Sequence, residues 1–391
     1  MTRIAILGAG PIGLEVALGA AARGDDFEVF EAASHAGGNV RRWGHVRMFT
    51  PWSMNVSSRM RAALPSAPGG DELPTGAQLA AELLEPIAAL PQLSGRVRLS
   101  TRVLAIGREG LLKHEAIGAP RRARRPFRLL VARPDGSEAI VHADAVIDAT
   151  GAYASPNRLG DGGIDAVNER AFGDRIERFL PDFGEDRGGG GWTGRTILLT
   201  GAGHSAQTAA AKLAELARDA PGTRVVWAVR SPQPGWGAVD ADPLPQRAAL
   251  AATAADLAAG ASSAVIVKPG CVTEALYARG DRVAVTLRNG GHEEVEVDRI
   301  LALNGGVGDH ALYRQLQVHE CYATSGPMNL AAALLGDTST DCLRVTAHGP
   351  ATLRTPEPGF FILGAKSYGR MSRFLLQAGW RQVDDVLGSL I

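Results

Sequence analysis

Residues 3–13 read RIAILGAGPIG. A short apolar, β-branched run from Arg3 to Leu7 meets Gly8, Gly10 and Gly13, and the following LEVALGAAARG has the Leu and Ala content of a helix. Strand, glycine turn and helix in that order form the fingerprint of a dinucleotide site. The first glycine permits the tight turn, the second lets backbone approach a pyrophosphate, and the third lets helix and strand pack closely. The helix N-terminus then offers free N–H groups and partial positive charge to the phosphates. Gly8, Gly10, Pro11, Ile12 and Gly13 are therefore cofactor-binding candidates.

The next strand-like run, FEVFE at 27–31, ends in Glu31, roughly 20 residues beyond the glycines, where a carboxylate can accept hydrogen bonds from an adenosine ribose. The same grammar returns at 195–217, RTILLTGAGHSAQTAAAKLAELA. Here Gly201, Gly203 and Ala206 stand in the glycine positions, and Ala is an accepted third member. The strand after it, TRVVWAVR at 223–230, ends in Arg230 in place of an acid. A cation there suits the 2′-phosphate of NADPH, whereas an NAD ribose prefers a carboxylate. His204, Ser205 and Ser231 are minor phosphate-contact candidates, and His204 also reads as a solvated turn residue. The fold class expected is α/β, with two Rossmann-like dinucleotide-binding domains.

Bulk properties narrow the function. The 391 residues are 45% hydrophobic and 21% charged, with formal net charge zero, as in an ordinary globular protein. No global basic field recommends a nucleic acid or an anionic membrane as partner. The one basic run, RRARR at 121–125, reads as a solvated hairpin loop. Cys271, Cys321 and Cys342 form no C-x-x-C pair, which suits a reducing compartment and leaves no redox dithiol. No apolar run approaches a membrane span, and no leader-like segment opens the chain, so the cytoplasm is the default. His319-x-Cys321 lacks two further ligands, and no metal site is expected.

Glu15 and GGNVRRW at 37–43 favour FAD over NAD for the first fingerprint. At these residues the chain resembles the two-dinucleotide-binding-domain flavoproteins, the superfamily of thioredoxin reductases and flavin-containing monooxygenases. The resemblance implies that the first fingerprint holds FAD and the second NADPH. It also places Gly38, Asn39, Arg41, Arg42 and Trp43 along the flavin, with a plain surface loop as the lesser reading of the two arginines. Asp148-Ala149-Thr150-Gly151 matches the turn that closes the first FAD segment, with Thr150 and Gly151 at the cofactor. LNGG at 303–306 stands in the same relation to the second fingerprint. The implied layout is FAD domain 1–151, an inserted NAD(P)H domain 152–303, and a second FAD segment 304–391.

Between these landmarks lie further expected elements. Thr75 and Gln78 have capping-box spacing at a helix start, with Pro86 as kink or end. Runs 96–107, 127–133 and 139–151 suggest an antiparallel excursion that returns to a parallel strand. Runs 264–272 and 282–290 suggest a strand pair. PGFFILG at 358–364 reads as a last strand ending at Gly364, and 371–391 as an amphipathic helix. By resemblance that helix begins at the flavin pyrimidine ring. The thioredoxin-reductase branch has Gly-Asp at this point, and the present chain has Gly364-Ala365-Lys366, so no such contact is assigned.

The resemblance also frames the chemistry: hydride passes from NADPH to FAD, and an acceptor then takes the electrons. Without C-x-x-C the expected route is O2 activation at flavin C4a, a small-molecule monooxygenase. The alternatives are an NAD(P)H-dependent reductase of a non-oxygen acceptor and a non-catalytic flavin-binding protein. HVRMFTPWSMN at 45–55 corresponds to the flavin-facing segment of monooxygenases, which makes Asn55 the catalytic candidate; a turn residue capping the next helix is the other reading. Phe49, Trp43 and Trp52 read either as a dry pocket wall or as core, and His319, Cys321, Tyr322 and Met328 as pocket lining or loop packing. One departure stands against the monooxygenase branch. Its F-x-G-x-x-x-H-type signature is missing: residues 152–195 hold AFGDRIER and no histidine. The expected partner is a small-molecule substrate, and a homodimer is the commonest oligomeric prior.

Overall fold

The computed structural model describes residues 2–184, 191–336 and 349–390. The chain divides into two compact units, one made of Met1–Ser155 and Val307–Ile391, the other of Pro156–Gly306. The first break falls four residues beyond DATG, and the second directly after LNGG. Cys342 lies outside the described residues.

The first unit is built on a five-stranded parallel sheet in the order Phe360–Ile362, Ala145–Asp148, Arg3–Leu7, Asp26–Phe30, Val97–Arg98. The register pairs Ile4 with Phe27 and Ala145, and Ile6 with Val29 and Ile147. Both faces are covered, so residues 4–7, Ala145–Asp148 and Phe360–Ile362 are buried without alternation. Ile4, Ile6, Phe27, Val29 and Ile147 pack with the helices Pro11–Arg23 and Leu376–Ser389 through Leu14, Val383 and Leu387. Leu7, Phe30, Val146, Phe360 and Ile362 face Phe127, Leu129, Tyr313 and Leu316 on the other side. The covering layer there is an antiparallel sheet of Arg102–Arg108, Phe127–Ala132 and Glu138–Ala143.

The second unit repeats the plan. Val265–Pro269, Arg224–Val229, Thr196–Thr200, Arg299–Ala302 and Ile176–Glu177 form a parallel sheet in that order. The helix His204–Asp219 packs Ala206, Ala210 and Leu213 against Ile197, Leu199, Val225 and Trp227. The opposite face meets an antiparallel sheet of Val272–Arg279, Arg282–Arg288 and His292–Val297.

Several local expectations change. The run 264–272 meets 282–290 only at Val272, opposite Arg288: Val265–Pro269 joins the parallel sheet, and the hairpin partner of Arg282–Arg288 is Val272–Arg279. The C-terminal helix starts at Leu376, not 371: residues 371–375 are non-helical, and Gly364–Tyr368 forms a separate short 3-10 turn. Thr75 and Gln78 make both bonds of the capping box. The helix then widens into π geometry at Leu79–Leu84, which accommodates Pro86, and continues to Ala88. The run 121–125 is not a solvated loop throughout. Arg122 is buried, and with buried Arg108 it clamps Glu357 at 2.8 and 2.7 Å. The backbone N–H of Gln317 donates to the same carboxylate at 2.7 Å.

Candidate functional site

Each parallel sheet carries its glycine turn at the C-terminal end of the central strand, and each turn opens into a helix. Gly8 and Gly201 have φ of +95° and +107°, conformations that side-chain-bearing residues avoid. A second segment crosses each turn closely. A Cβ on Gly8 would lie 2.9 Å from the Ala149 carbonyl, and one on Gly201 would lie 2.3 Å from the Leu303 carbonyl. DATG and LNGG therefore occupy equivalent places in their own units. Gly13 is closer still: a Cβ there would sit 1.8 Å from the Gly8 carbonyl, which is the helix–strand approach the third glycine serves. Gly10 and Gly203 differ. Nothing lies within 4 Å of a Cβ on either, so the space over the second glycine of each turn is open to a ligand. Pro11 and Ile12 occupy the first helical turn, and Ile12 lies 3.2 Å from a Cβ on Gly364.

Around the first turn, Glu31 holds the backbone. Its two oxygens accept from the N–H groups of Ala9 at 2.8 Å and Ala33 at 2.9 Å, leaving each oxygen one further lone pair. Gly38–Arg42 forms a short helix whose Asn39 donates to the Thr150 carbonyl at 3.4 Å. Arg41 is exposed and paired with Glu85, its Nε at 2.7 Å; Arg42 is exposed. Trp43 is half-buried and covers Gly76, with ring carbons 2.5 and 2.7 Å from a Cβ there. Asp148 anchors Thr150 through its N–H at 3.1 Å and its hydroxyl at 2.6 Å, which sets the turn leading to Gly151. Gly364 donates its N–H to Gln382 Oε1 at 2.8 Å.

Two further residues take roles the sequence did not suggest. Glu15 is buried in the first helix and accepts from Ser57 at 2.6 Å and from Arg59, which also reaches Asp384 at 2.6 Å. It joins three helices. Burial pushes its carboxyl up, opposed by the Ser57 hydrogen bond and the Arg59 charge. Asn55, the catalytic candidate, is also buried. Its amide nitrogen donates to the Thr50 and Pro51 carbonyls at 2.8 and 2.9 Å, and its oxygen accepts from the Thr50 hydroxyl at 2.9 Å. Both donors are consumed in closing its own loop. The cap of the next helix is Ser57, which accepts from Met60 N–H, so Asn55 is not that cap. Trp52 is buried in the core. His319, Tyr322 and Met328 are exposed, while Cys321 is buried in a tight turn.

In the second unit, His204 and Ser205 begin the helix and are exposed, and Ala206 is buried against the core. Desolvation of the ring, then the nearby Arg247 charge, holds His204 below the usual imidazole range. Arg230 is exposed directly after its strand. Asp161 is held below the usual carboxylate range, chiefly by its Arg288 hydrogen bond, with Arg230 adding to the effect. Sequence reading missed three supports of this turn. Trp227 Nε1 donates to the Gly201 carbonyl at 2.8 Å. Gln207 donates to the Ala202 and Trp236 carbonyls at 2.9 Å each. Asn304 accepts from the Thr200 hydroxyl at 3.0 Å. Only Asn304, inside LNGG, carried a sequence signal.

Among the described residues no helix is long and apolar enough to cross a membrane. No group of three or more His, Cys, Asp or Glu that could hold a metal ion occurs among them either.

No protein-family model matches the chain, and no curated protein matches it by sequence. Solved structures do. A bacillithiol disulfide reductase from Bacillus cereus is 17% identical, with 99% of this chain and 98% of that one covered, at a TM-score of 0.72. A thioredoxin reductase from T. acidophilum is 16% identical over 100% and 99%, at 0.60. A flavin-containing monooxygenase from Stenotrophomonas maltophilia is 16% identical over 100% and 98%, at 0.59. At these identities the likeness is one of fold, and the chain carries the two-dinucleotide-binding-domain fold of thioredoxin reductase-like and flavin monooxygenase proteins.

Proposed function

We propose that the protein is an FAD- and NADPH-dependent oxidoreductase acting on a small molecule. The observation that carries this reading is the paired architecture. Two glycine turns stand at two helix N-termini, each with open space over its second glycine and a crossing segment packed beneath it. FAD fits the first unit, where Glu31 retains lone pairs for a ribose and Asn39, Thr150 and Gly151 border the turn. NADPH fits the second, where Arg230 offers an exposed cation to a 2′-phosphate. FAD bound there would supply the two-electron redox chemistry that links NADPH to the acceptor. The chain's own residues bind and orient. Helix N-termini and backbone N–H groups hold the phosphates, and Asp148 fixes the Thr150 turn.

Two acceptors are in play. Reduction of a low-molecular-weight disulfide is the first reading, because the two bacillithiol disulfide reductases have TM-scores of 0.72 and 0.69, above the 0.58–0.59 of the monooxygenases. Monooxygenation of a small molecule is the second. It rests on the missing C-x-x-C and on Asn55 as the catalytic candidate, whose amide N–H groups also close its own loop. The test is NADPH oxidation by the purified yellow protein under two conditions. Without oxygen, a panel of small disulfides should drive turnover and yield thiols. If turnover needs oxygen and ¹⁸O from ¹⁸O₂ enters an organic product, the disulfide reading fails and the monooxygenase reading stands. A protein that retains no FAD would overturn both.

A further inference from the structure

Separated stretches of the first unit meet at one buried ammonium. Lys366 is 1% exposed. Its Nζ donates to Asp148 Oδ2 at 2.5 Å, to the Asp309 carbonyl at 2.8 Å and to Thr150 Oγ1 at 3.3 Å. Those contacts use all three donors of the group. Asp148 is itself fully buried, and its other oxygen carries both Thr150 bonds. The lysine stem passes over Gly308, where a Cβ would lie 2.5 Å from Cγ and 2.6 Å from Cδ and Cε. Gln382, from the C-terminal helix, secures the same segment. It accepts from Gly364 N–H at 2.8 Å and donates to Ser367 Oγ at 2.9 Å.

The ion pair fastens the segments that flank the first glycine turn. Ala149 and Thr150 press against Gly8, and Gly364 presses against Ile12. A buried pair adds little net stability over apolar residues of equal volume, yet loss of one partner strands a charge. We propose that Lys366, through its ion pair with Asp148, is the positioning residue of the first dinucleotide site. It holds the Asp148–Gly151 turn and the Gly364 segment in place before the cofactor arrives. This inference rests on the reading of the first unit as the FAD site.

The test compares FAD affinity of wild type, K366M and D148N/K366M between pH ~6 and ~8. In K366M, Asp148 is buried without a counter-charge, so desolvation raises its carboxyl and the turn recovers as it takes up a proton. K366M should bind FAD at least about tenfold more weakly than wild type at pH ~8 and recover at least about threefold at pH ~6. Wild type and the charge-free double variant should both be flat over that range. The other titratable groups around the pair are Asp309, His310, Tyr313 and Glu320. All four remain in the double variant, so its flat profile separates Asp148 from them. The apoprotein reads the same contrast without FAD: K366M should melt at lower temperature as pH rises, and the double variant should not.

Wild-type affinity in K366M, a loss equal at both pH values, or a pH dependence shared by the double variant overturns the proposal. If wild type binds no FAD, the FAD reading falls. The apoprotein melts then decide whether the pair sets the fold of the turn: a K366M melt independent of pH rejects it.

Discussion

Glycines that look alike in the sequence do different work. Gly13 serves the fold, since a Cβ there would sit 1.8 Å from a carbonyl oxygen, whereas Gly10 has open space above it. Gly13→Ala should therefore cost about 3 kcal/mol or more, read as a lower urea midpoint. Gly10→Val should leave the melt of the apoprotein nearly unchanged and abolish retained FAD. A Gly10→Val protein that stays stoichiometrically yellow would remove the first turn from the pyrophosphate site. Arg230→Ala should raise the KM for NADPH about tenfold to a hundredfold, the equivalent of ~1.5–3 kcal/mol for a charge-assisted hydrogen bond, with NADH little changed. Equal effects on both nucleotides would take Arg230 away from the phosphate. The glycine turns were legible because spacing along the chain sets their geometry. The partners of Asn55 were not, because a carboxamide's partners are set by the local loop closure, and here that closure uses both donors.

Among elements, strand–turn–helix units were readable because apolar runs and glycine punctuation are local. The covering layers were not. The 121–125 run is rich in arginine, and charge alone suggests solvent; yet Arg122 and Arg108 are buried around Glu357, far away in sequence. Removing that shared carboxylate strands two guanidinium groups, so Glu357→Ala should destabilise the protein by about 3–5 kcal/mol in urea unfolding. A shift under about 1 kcal/mol would mean that the clamp is open in solution. The pairing of Val272–Arg279 with Arg282–Arg288, and not of 264–271, was hidden for a related reason. Val265–Pro269 is apolar enough for either sheet, and the parallel neighbour Arg224–Val229 decides.

At the scale of the molecule, the second unit is one continuous segment, Pro156–Gly306, with its own buried clusters around Trp227 and Val285. Expressed alone, it should melt cooperatively and bind NADPH, seen as quenching of tryptophan emission; a non-cooperative melt would show that the segment needs the rest of the chain. The first unit is discontinuous and needs both of its segments, since Phe360–Ile362 completes its sheet beside Ala145–Asp148. The sequence by itself determined the α/β class, the two glycine turns, the choice of acid or cation after each second strand, and the landmarks DATG and LNGG. These depend on residue type and short spacing, which the chain records directly. The tertiary structure alone decided that Glu15 joins three helices, that Asn55 closes its own loop, and that Lys366 finds Asp148 from the far end of the chain. A buried charge or amide must meet its partner in space, and the distance along the chain to that partner is set by how the layers pack.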